Sequence, residues 1–267
     1  MEPFSKKTDQ FLELEKWQKR SAELVVGFTS RNGGVSKEAY SSLNCGLHVN
    51  DVESDVLENR RKLAKLIDIP LENWIMGEQV HDVKIKFVDE NDKGSGAFSS
   101  ASSMSAIDGV LTKTSGILLS AFFADCIPLY FFDPEAGIIG IAHAGWKGTV
   151  GGIASEMVTA FVKQGSNKDN ILVTVGPGIS KEHYEVDERV ISKIDEKYRE
   201  KVLTTQDNRF LLDLKELNRE ILLQSGILSH NIDITSYCTY RDEALFFSHR
   251  RDQGKTGRML GFIGFRE

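Results

Sequence analysis

The sequence predicts a single α/β (α+β) domain built on a mixed β-sheet. Three β-rich segments follow one another closely, at Ile107 to Thr112, Ile117 to Ala124 and Ile127 to Phe132. The turn at residues 133–137 joins the last of them to a strand at Ile138 to Ala142, which predicts an antiparallel hairpin. Helical and strand patterns then alternate toward the C-terminus, which predicts a mixed sheet. Neither an internal repeat nor a linker divides the chain, so we expect one domain.

The N-terminal part contains one undecided segment, one strand and one helix. Phe11 to Trp17 fits a short strand or a short helix, and Glu23 to Thr29 predicts a strand that leads into the double glycine Gly33-Gly34, which is typical of a tight turn. Ser54 to Ile67 has apolar residues at helical spacing, an acid near its start and bases toward its end, as the helix dipole favours. Pro70 prevents this helix from continuing.

The remaining elements follow from the same patterns. Alternation predicts a strand at Val83 to Val88, and the glycine- and serine-rich stretch Lys93 to Ser105 predicts a surface loop. A helix is predicted over Gly148 to Gln164 because Ile153, Met157 and Phe161 share one stripe. The last predicted elements are a strand at Ile171 to Val175, short helices around Lys181 to Ile194, a helix at Leu214 to Gln224, and strands at Leu245 to Ser248 and Met259 to Phe265 around a charged turn.

Composition favours small-molecule chemistry in the cytoplasm. The 267 residues carry a formal net charge of -6, and nucleic acids and anionic membranes attract proteins with a basic excess, so we expect neither partner. The N-terminus lacks the apolar core of a signal peptide, and no stretch approaches the length of a membrane span. The three cysteines are scattered and odd in number, which argues against a disulfide framework and leaves thiols for metal or catalytic work.

Two histidines and a cysteine form the candidate chemical site. His81, Cys126 and His143 each lie at the edge of an apolar strand, and His143 opens a glycine-rich turn, where α/β sheets commonly bind ligands. Two imidazoles and one thiolate suit zinc, and three protein ligands leave a fourth position for water or substrate. The spacing is long and matches no short metal motif, so a buried cysteine beside two packed histidines is the alternative interpretation.

Several separated motifs resemble one known family. In chain order they are Arg31-Asn32-Gly33-Gly34-Val35-Ser36, Gly77-Glu78-Gln79-Val80-His81, Ala124-Asp125-Cys126-Ile127-Pro128, His143-Ala144-Gly145-Trp146-Lys147-Gly148 and Gly176-Pro177-Gly178-Ile179. Together they resemble the YfiH/YlmD family of laccase-domain proteins, which have been described as polyphenol oxidases and as purine nucleoside phosphorylases. The resemblance runs from about Glu23 to the C-terminus.

The resemblance implies a fold, a metal and an activity. It implies a YfiH-like α/β/β/α sandwich, with mixed β-sheets layered between helices, as a single catalytic domain over residues 23–267, and we expect residues 1–22 to form an extension packed on it. It implies zinc, with copper as the other possible ion, on His81, Cys126 and His143. It also implies phosphorolysis of adenosine, inosine and 5'-methylthioadenosine to the free base and (methylthio)ribose 1-phosphate, together with adenosine deamination. Purine nucleosides and inorganic phosphate are then the partners, and we expect a monomer or weak homo-oligomer.

Phosphorolysis requires cations or backbone amides around the phosphate. Arg31 beside its glycine pair, Lys147 at a helix start and Arg250 are the candidates, with Arg251 as an alternative to Arg250. An arginine fork matches phosphate geometry, which favours Arg31. For Lys147 and Arg251 we favour a solvated surface position.

Other polar residues near the motifs are candidates for the nucleoside. Asn44 and Gln79 are predicted to hydrogen-bond ribose or base, although Asn44 equally suits a turn. Asp125 precedes the cysteine and is predicted to orient one of the histidines. His48 and His249 lie in loops that could face the site, and we favour a structural role for both.

Three other functions are alternatives to this one, and the first uses the same residues. A cysteine hydrolase would take Cys126 as nucleophile and His143 or His81 as its base. A copper-dependent polyphenol oxidase of the multi-copper type needs about ten histidine or cysteine ligands in clusters. The six scattered histidines of this chain cannot supply that set. A metabolite-binding module without catalysis is the third, because a fold does not determine a function.

Overall fold

The protein, a computed structural model, is described over residues 2–206 and 209–267. The strands are β1 (Ser5–Lys6), β2 (Phe11–Glu13), β3 (Leu24–Thr29), β4 (Trp74–Met76), β5 (Ile85–Phe87), β6 (Gly109–Thr112), β7 (Ile117–Phe123), β8 (Ile127–Asp133), β9 (Ile138–Ala144), β10 (Leu172–Val175), β11 (Glu185–Val186), β12 (Leu203–Gln206), β13 (Arg209–Leu212), β14 (Ile232–Ile234) and β15 (Met259–Phe265). The α-helices are α1 (Glu15–Gln18), α2 (Glu53–Ile67), α3 (Trp146–Gly151), α4 (Ile153–Lys163), α5 (Glu188–Ile191), α6 (Glu196–Val202) and α7 (Leu214–Gln224).

Two six-stranded sheets carry the fold. Their strand orders are β1-β2-β3-β15-β7-β4 and β14-β10-β8-β9-β6-β5, and a small third sheet has the order β11-β13-β12. Three pairs are parallel, namely β4 with β7, β5 with β6, and β14 with β10, and the other pairs are antiparallel. Both large sheets are therefore mixed, which confirms the predicted fold class.

Three apolar cores set the layers. Side chains alternate between the two faces of each strand, so Phe28 of β3 and Ile141 of β9 meet in a core between the two sheets. Phe161 of α4 packs against the outer face of the second sheet, and Leu63 of α2 packs near Leu118 on the outer face of the first. The order helix, sheet, sheet, helix agrees with the predicted sandwich.

The N-terminal residues add to the first sheet. The segment predicted as strand or helix contains both, since it forms β2 and then α1. Strand β2 pairs with β3, and Trp17 of α1 is only 2% exposed in the core between the sheets. The proposed division of the chain after residue 22 stays a prediction.

Several predicted elements differ in detail. The helix expected over Gly148 to Gln164 starts earlier, at Trp146, and is broken at Gly152, whose φ of +92° is left-handed and ends α3 before α4 begins. The prediction of a strand at Leu245 to Ser248 is wrong, because this segment forms no strand. Its amides bond locally, with the N–H groups of Leu245 and Phe246 donating to the Asp242 carbonyl, and its apolar character serves burial of Phe246.

Smaller differences concern the ends of elements. The strand expected from Ile107 begins at Gly109, and that expected over Val83 to Val88 is confined to Ile85–Phe87. The region around Lys181 to Ile194 contains a 3₁₀ turn, the short strand β11 and helix α5. None of the helices in residues 2–206 and 209–267 has the length and apolar character that a membrane span requires.

Candidate metal centre

The structure brings His81, Cys126 and His143 together. His81 follows β4 in a turn, Cys126 lies between β7 and β8, and His143 lies in β9, where it pairs with Pro128 of β8. One ligand atom from each residue lies within 4.8 Å of the others, and Cys126 Sγ is 3.8 Å from His81 Nε2. Ligands placed about 2.0 to 2.3 Å from a tetrahedral zinc ion lie roughly 3.3 to 3.6 Å apart. The donor set suits zinc, and the ligand atoms lie somewhat wider apart than in a bound tetrahedral site.

Asp108 holds both histidines of this centre. Its Oδ1 lies 2.9 Å from His143 Nδ1, so that Nε2 is left as the metal-binding nitrogen. The same carboxylate accepts the main-chain N–H groups of Val80, His81 and Asp82 at 3.1, 3.1 and 3.0 Å. These bonds stabilise the turn in which His81 has a left-handed φ of +63°.

Gly145 packs directly against His81 and Cys126. A Cβ atom at this position would lie 2.7 Å from His81 Cδ2 and 3.0 Å from Cys126 Sγ. The first contact is shorter than real side chains make and the second is unusually tight, so a larger residue would displace His81. The glycine two residues after His143 is therefore required by the ligands and not only by the turn that precedes α3.

The cysteine of the centre differs electrostatically from a structural cysteine. Burial disfavours a charged thiol, but the facing charge and hydrogen bond of His143 lower the pKa of Cys126, and Cys126 in turn raises the pKa of His143. By contrast, burial raises the pKa of Cys45 to about 12. Cys126 is thus the thiol that ionises readily, as a metal ligand or a nucleophile must.

The centre opens into a cavity of about 810 Å³. A volume of this size is ordinary for a small-molecule site. Besides the three ligands, the polar or charged residues that line it are His48, Arg60, Glu78, Gln79, Ser100, Ser103, Asp125, Tyr184, His249, Arg250 and Arg258. Loops from both large sheets thus contribute to one pocket.

Three of the predicted substrate residues line this cavity. The amide of Gln79 is already paired with the main chain of Phe122, at 2.8 and 2.7 Å, which fixes it in place. Asp125 accepts from the Thr239 hydroxyl at 2.6 Å and from the Arg250 N–H at 2.8 Å. The histidine-orienting role predicted for Asp125 therefore belongs to Asp108. Arg250 donates from both terminal nitrogens to the Glu185 carbonyl.

The other three predicted residues do not line the cavity. Arg31 donates to the carbonyls of Ser41 and Glu243 and lies over the Phe247 ring. Lys147 is exposed, with Nζ 5.8 Å from the centre of the Trp146 ring. Asn44 is fully buried, and its Oδ1 accepts the N–H groups of Gly46 and Arg258, so it acts within a turn.

Sequence reasoning missed Asp108, Arg60 and Arg258. Asp108 stands at the start of a strand, and only tertiary contacts bring it to His143. Arg60 falls in the basic part of α2, which predicts a solvated side chain, yet it is 1% exposed. The burial of Arg60 could have been predicted from its position, because it lies three residues before Leu63 and so shares the buried face of α2. His48 and His249, which we assigned structural roles, also line the cavity.

The fold and this centre define an α/β protein with a candidate His-Cys-His metal site that lines a ligand-sized cavity. Residues 25–266 match the family model described as "Multi-copper polyphenol oxidoreductase laccase", and the chain belongs to this family. It is 43% identical over 272 residues to the purine nucleoside phosphorylase YlmD of Bacillus subtilis, with 99% of this chain and 98% of that protein aligned.

Solved structures agree with this assignment. The crystal structure of YlmD from Geobacillus stearothermophilus matches with a TM-score of 0.94 and 42% identity, and the alignment covers 100% of both chains. The crystal structure of Bacillus licheniformis YfiH matches with a TM-score of 0.95 and 42% identity, over 99% of each chain. The predicted resemblance to the YfiH/YlmD family is confirmed.

Proposed function

We propose that the protein is a zinc-dependent purine nucleoside phosphorylase that acts on adenosine, inosine and 5'-methylthioadenosine, with adenosine deaminase activity. The observation that carries this proposal is the His81, Cys126 and His143 cluster at a cavity that is lined by arginines and large enough for a nucleoside. The names of the similar proteins, purine nucleoside phosphorylases from several bacteria, support the same activity.

The reaction divides between the bound ion and the chain. When bound, zinc supplies Lewis acidity, and His81, Cys126 and His143 would hold it. In phosphorolysis a phosphate oxygen forms a bond to C1' of the ribose, while the bond from C1' to the purine nitrogen breaks. The electron pair leaves with the purine, which takes up a proton. Arg250 would hold an anionic substrate, and Asp125 and Gln79 would keep the cavity wall in place.

The ligand set favours one metal ion. In the part of the chain that the structure describes, one group of three histidine, cysteine or acidic residues has metal-binding geometry. A multi-copper oxidase needs about ten ligands in paired clusters. Because one thiolate and two imidazoles suit zinc, we favour zinc over copper and phosphorolysis over phenol oxidation.

Two ligand variants and one control test the proposal. Cys126→Ala and His143→Ala should lose zinc and should no longer release adenine and ribose 1-phosphate from adenosine and phosphate. His230→Ala, which changes an exposed histidine outside the cavity, should keep both properties. Metal analysis and mass spectrometry of the products measure the result. Full turnover by either zinc-free ligand variant would contradict the mechanism.

A cysteine hydrolase is the second candidate, and one observation favours it. Asp108, His143 and Cys126 form a chain in which a carboxylate orients an imidazole next to an ionisable thiol, as in nucleophilic catalysis. Metal removal separates the two candidates. A hydrolase should remain active after zinc is stripped and should be inactivated by alkylation, whereas the phosphorylase should stop when zinc is removed.

A further inference from the structure

Arg60 is a buried cation without a counterion. It projects from α2 and donates from Nε to the Cys45 carbonyl at 2.8 Å, and from Nη1 to the carbonyls of Gly96 and Ala97 at 2.8 and 2.6 Å. Among the described residues no carboxylate forms an ion pair with it, although it is 1% exposed. A buried charge without an anionic partner is costly. The little surface that remains on Arg60 borders the cavity.

Arg258 lines the same cavity from the loop that precedes β15. Its N–H donates to Asn44 Oδ1 at 2.9 Å, and its carbonyl accepts the Cys45 N–H at 3.1 Å. Nη1 donates to the carbonyls of Thr256 and Gly257 at 2.9 and 3.0 Å. For both arginines these bonds leave Nη2 without a partner in residues 2–206 and 209–267. The Cys45 main chain thus bonds the Arg60 guanidinium on one side and the Arg258 main chain on the other, and each guanidinium keeps donors for a ligand.

Gly46 makes room for Arg258 and His48. A Cβ atom on Gly46 would lie 2.9 Å from Arg258 Cγ and 3.2 Å from His48 Cε1. Burial of the ring, together with the charges of Arg258 and Arg60, lowers the pKa of His48 to about 4, so this ring is neutral near pH 7. The charge at this side of the cavity is therefore supplied by the two arginines, and it is positive.

We propose that Arg60 and Arg258 form the phosphate-binding subsite, and this inference rests on the proposed phosphorolysis. Guanidinium groups bind phosphate oxygens in pairs of parallel hydrogen bonds. The cavity that Arg60 and Arg258 line also contains Cys126, so the subsite would hold inorganic phosphate beside the metal centre. This assignment replaces Arg31 and Lys147, which lie outside the cavity, as the principal phosphate cations, and Arg250, which lines the same cavity, stays an additional contact for the anion.

Titration with inorganic phosphate tests the subsite on the zinc-loaded full chain. Arg258→Gln and Arg60→Lys should each raise the dissociation constant for phosphate by about tenfold or more, since each removes or misplaces a charged hydrogen bond. The KM for phosphate should rise in parallel, and the KM for adenosine should change by less than about twofold. Zinc content should stay at the wild-type level.

Arg61→Gln is the matched control, because Arg61 is the exposed neighbour of Arg60 on α2. It removes the same formal charge and should leave phosphate binding unchanged. Phosphate binding by both Arg258→Gln and Arg60→Lys at wild-type strength would overturn the inference, as would a wild-type protein that does not bind phosphate. If Arg60→Lys fails to fold, Arg258→Gln decides alone.

The titration is independent of turnover. If the wild-type protein binds phosphate through these arginines but releases no base from nucleosides, the proposed phosphorolysis fails and the subsite stands. If base is released and the variants lose only turnover, with phosphate binding intact, the subsite fails and phosphorolysis stands. The two failures are therefore distinguishable.

Discussion

Replacement of Asp108 by asparagine should loosen the metal centre without removing a ligand. Oδ1 of Asp108 accepts from His81 N and His143 Nδ1, and Oδ2 accepts from Val80 N and Asp82 N. An asparagine keeps one acceptor oxygen, and its NH2 group faces two N–H donors in either orientation. Two of the four hydrogen bonds are therefore lost in Asp108→Asn.

The size of the effect follows from these two bonds. A buried donor that loses its partner costs about 1 to 3 kcal/mol. Val80 and Asp82 are exposed enough for water to replace part of the bond, so we expect the free energy of unfolding of the metal-free protein to fall by about 2 kcal/mol. Loss of a partner that orients a metal-binding histidine typically lowers metal affinity about 10- to 100-fold, and we expect a zinc affinity reduced by that factor.

The assays are urea unfolding of the metal-free protein and zinc competition against a chromophoric chelator. Asp82→Asn is the control, because its carboxylate lies in the same turn and bonds the neighbouring Val83 N–H at 2.8 Å. Its zinc affinity should match that of the wild type. Equal zinc affinity and equal urea midpoints for Asp108→Asn and wild type would refute the orienting role of Asp108.

Acid titration provides a second test of the same carboxylate. Burial opposes the charge of Asp108, but the bonds from His143, Asp82 and Val80 hold the pKa of Asp108 below its usual value. A depressed folded-state pKa contributes stability that is present above the ordinary carboxyl pKa of about 4 and is lost as the pH falls through the folded value. Asp108→Asn should therefore lose less stability than the wild type when the metal-free protein is acidified below about pH 4.

Three further predictions concern the thiol, the glycine and the N-terminal packing. In the metal-free protein, the pH at which iodoacetamide labels Cys126 at half its maximal rate should lie below the ordinary thiol pKa of about 8.5, because His143 favours the thiolate. Zinc should suppress this labelling. Cys45 should stay unlabelled in the folded protein. Unchanged labelling of Cys126 with zinc would contradict ligation. Gly145→Ala should lower zinc content, because its Cβ would collide with His81 and Cys126; a full zinc complement would contradict the packing argument. Trp17→Ala should reduce the free energy of unfolding by about 3 to 5 kcal/mol, as measured by urea denaturation; a loss below about 1 kcal/mol would show that Trp17 does not contribute to the core.

The sequence by itself determined most local elements and the three candidate ligands. Periodicity located α2 and α7 to within a residue or two, because a helix that buries one face must repeat its apolar residues every three to four positions. His81, Cys126 and His143 could be selected because each lies at the edge of an apolar strand. Where apolar residues served burial alone, as in Phe246 and Phe247, the same reasoning predicted a strand that does not exist.

Only the tertiary structure decided which polar residues face the ligand and which serve the fold. Asp125 and Asp108 both stand beside strands, but strand pairing places Asp108 against His143 and turns Asp125 toward Thr239. Arg31 lies in a family motif and Arg60 lies in the basic part of α2, yet Arg60 is the one that lines the cavity. The physical reason is that hydrogen-bond partners and burial depend on segments far apart in the chain. Local composition does not determine which of these segments come into contact.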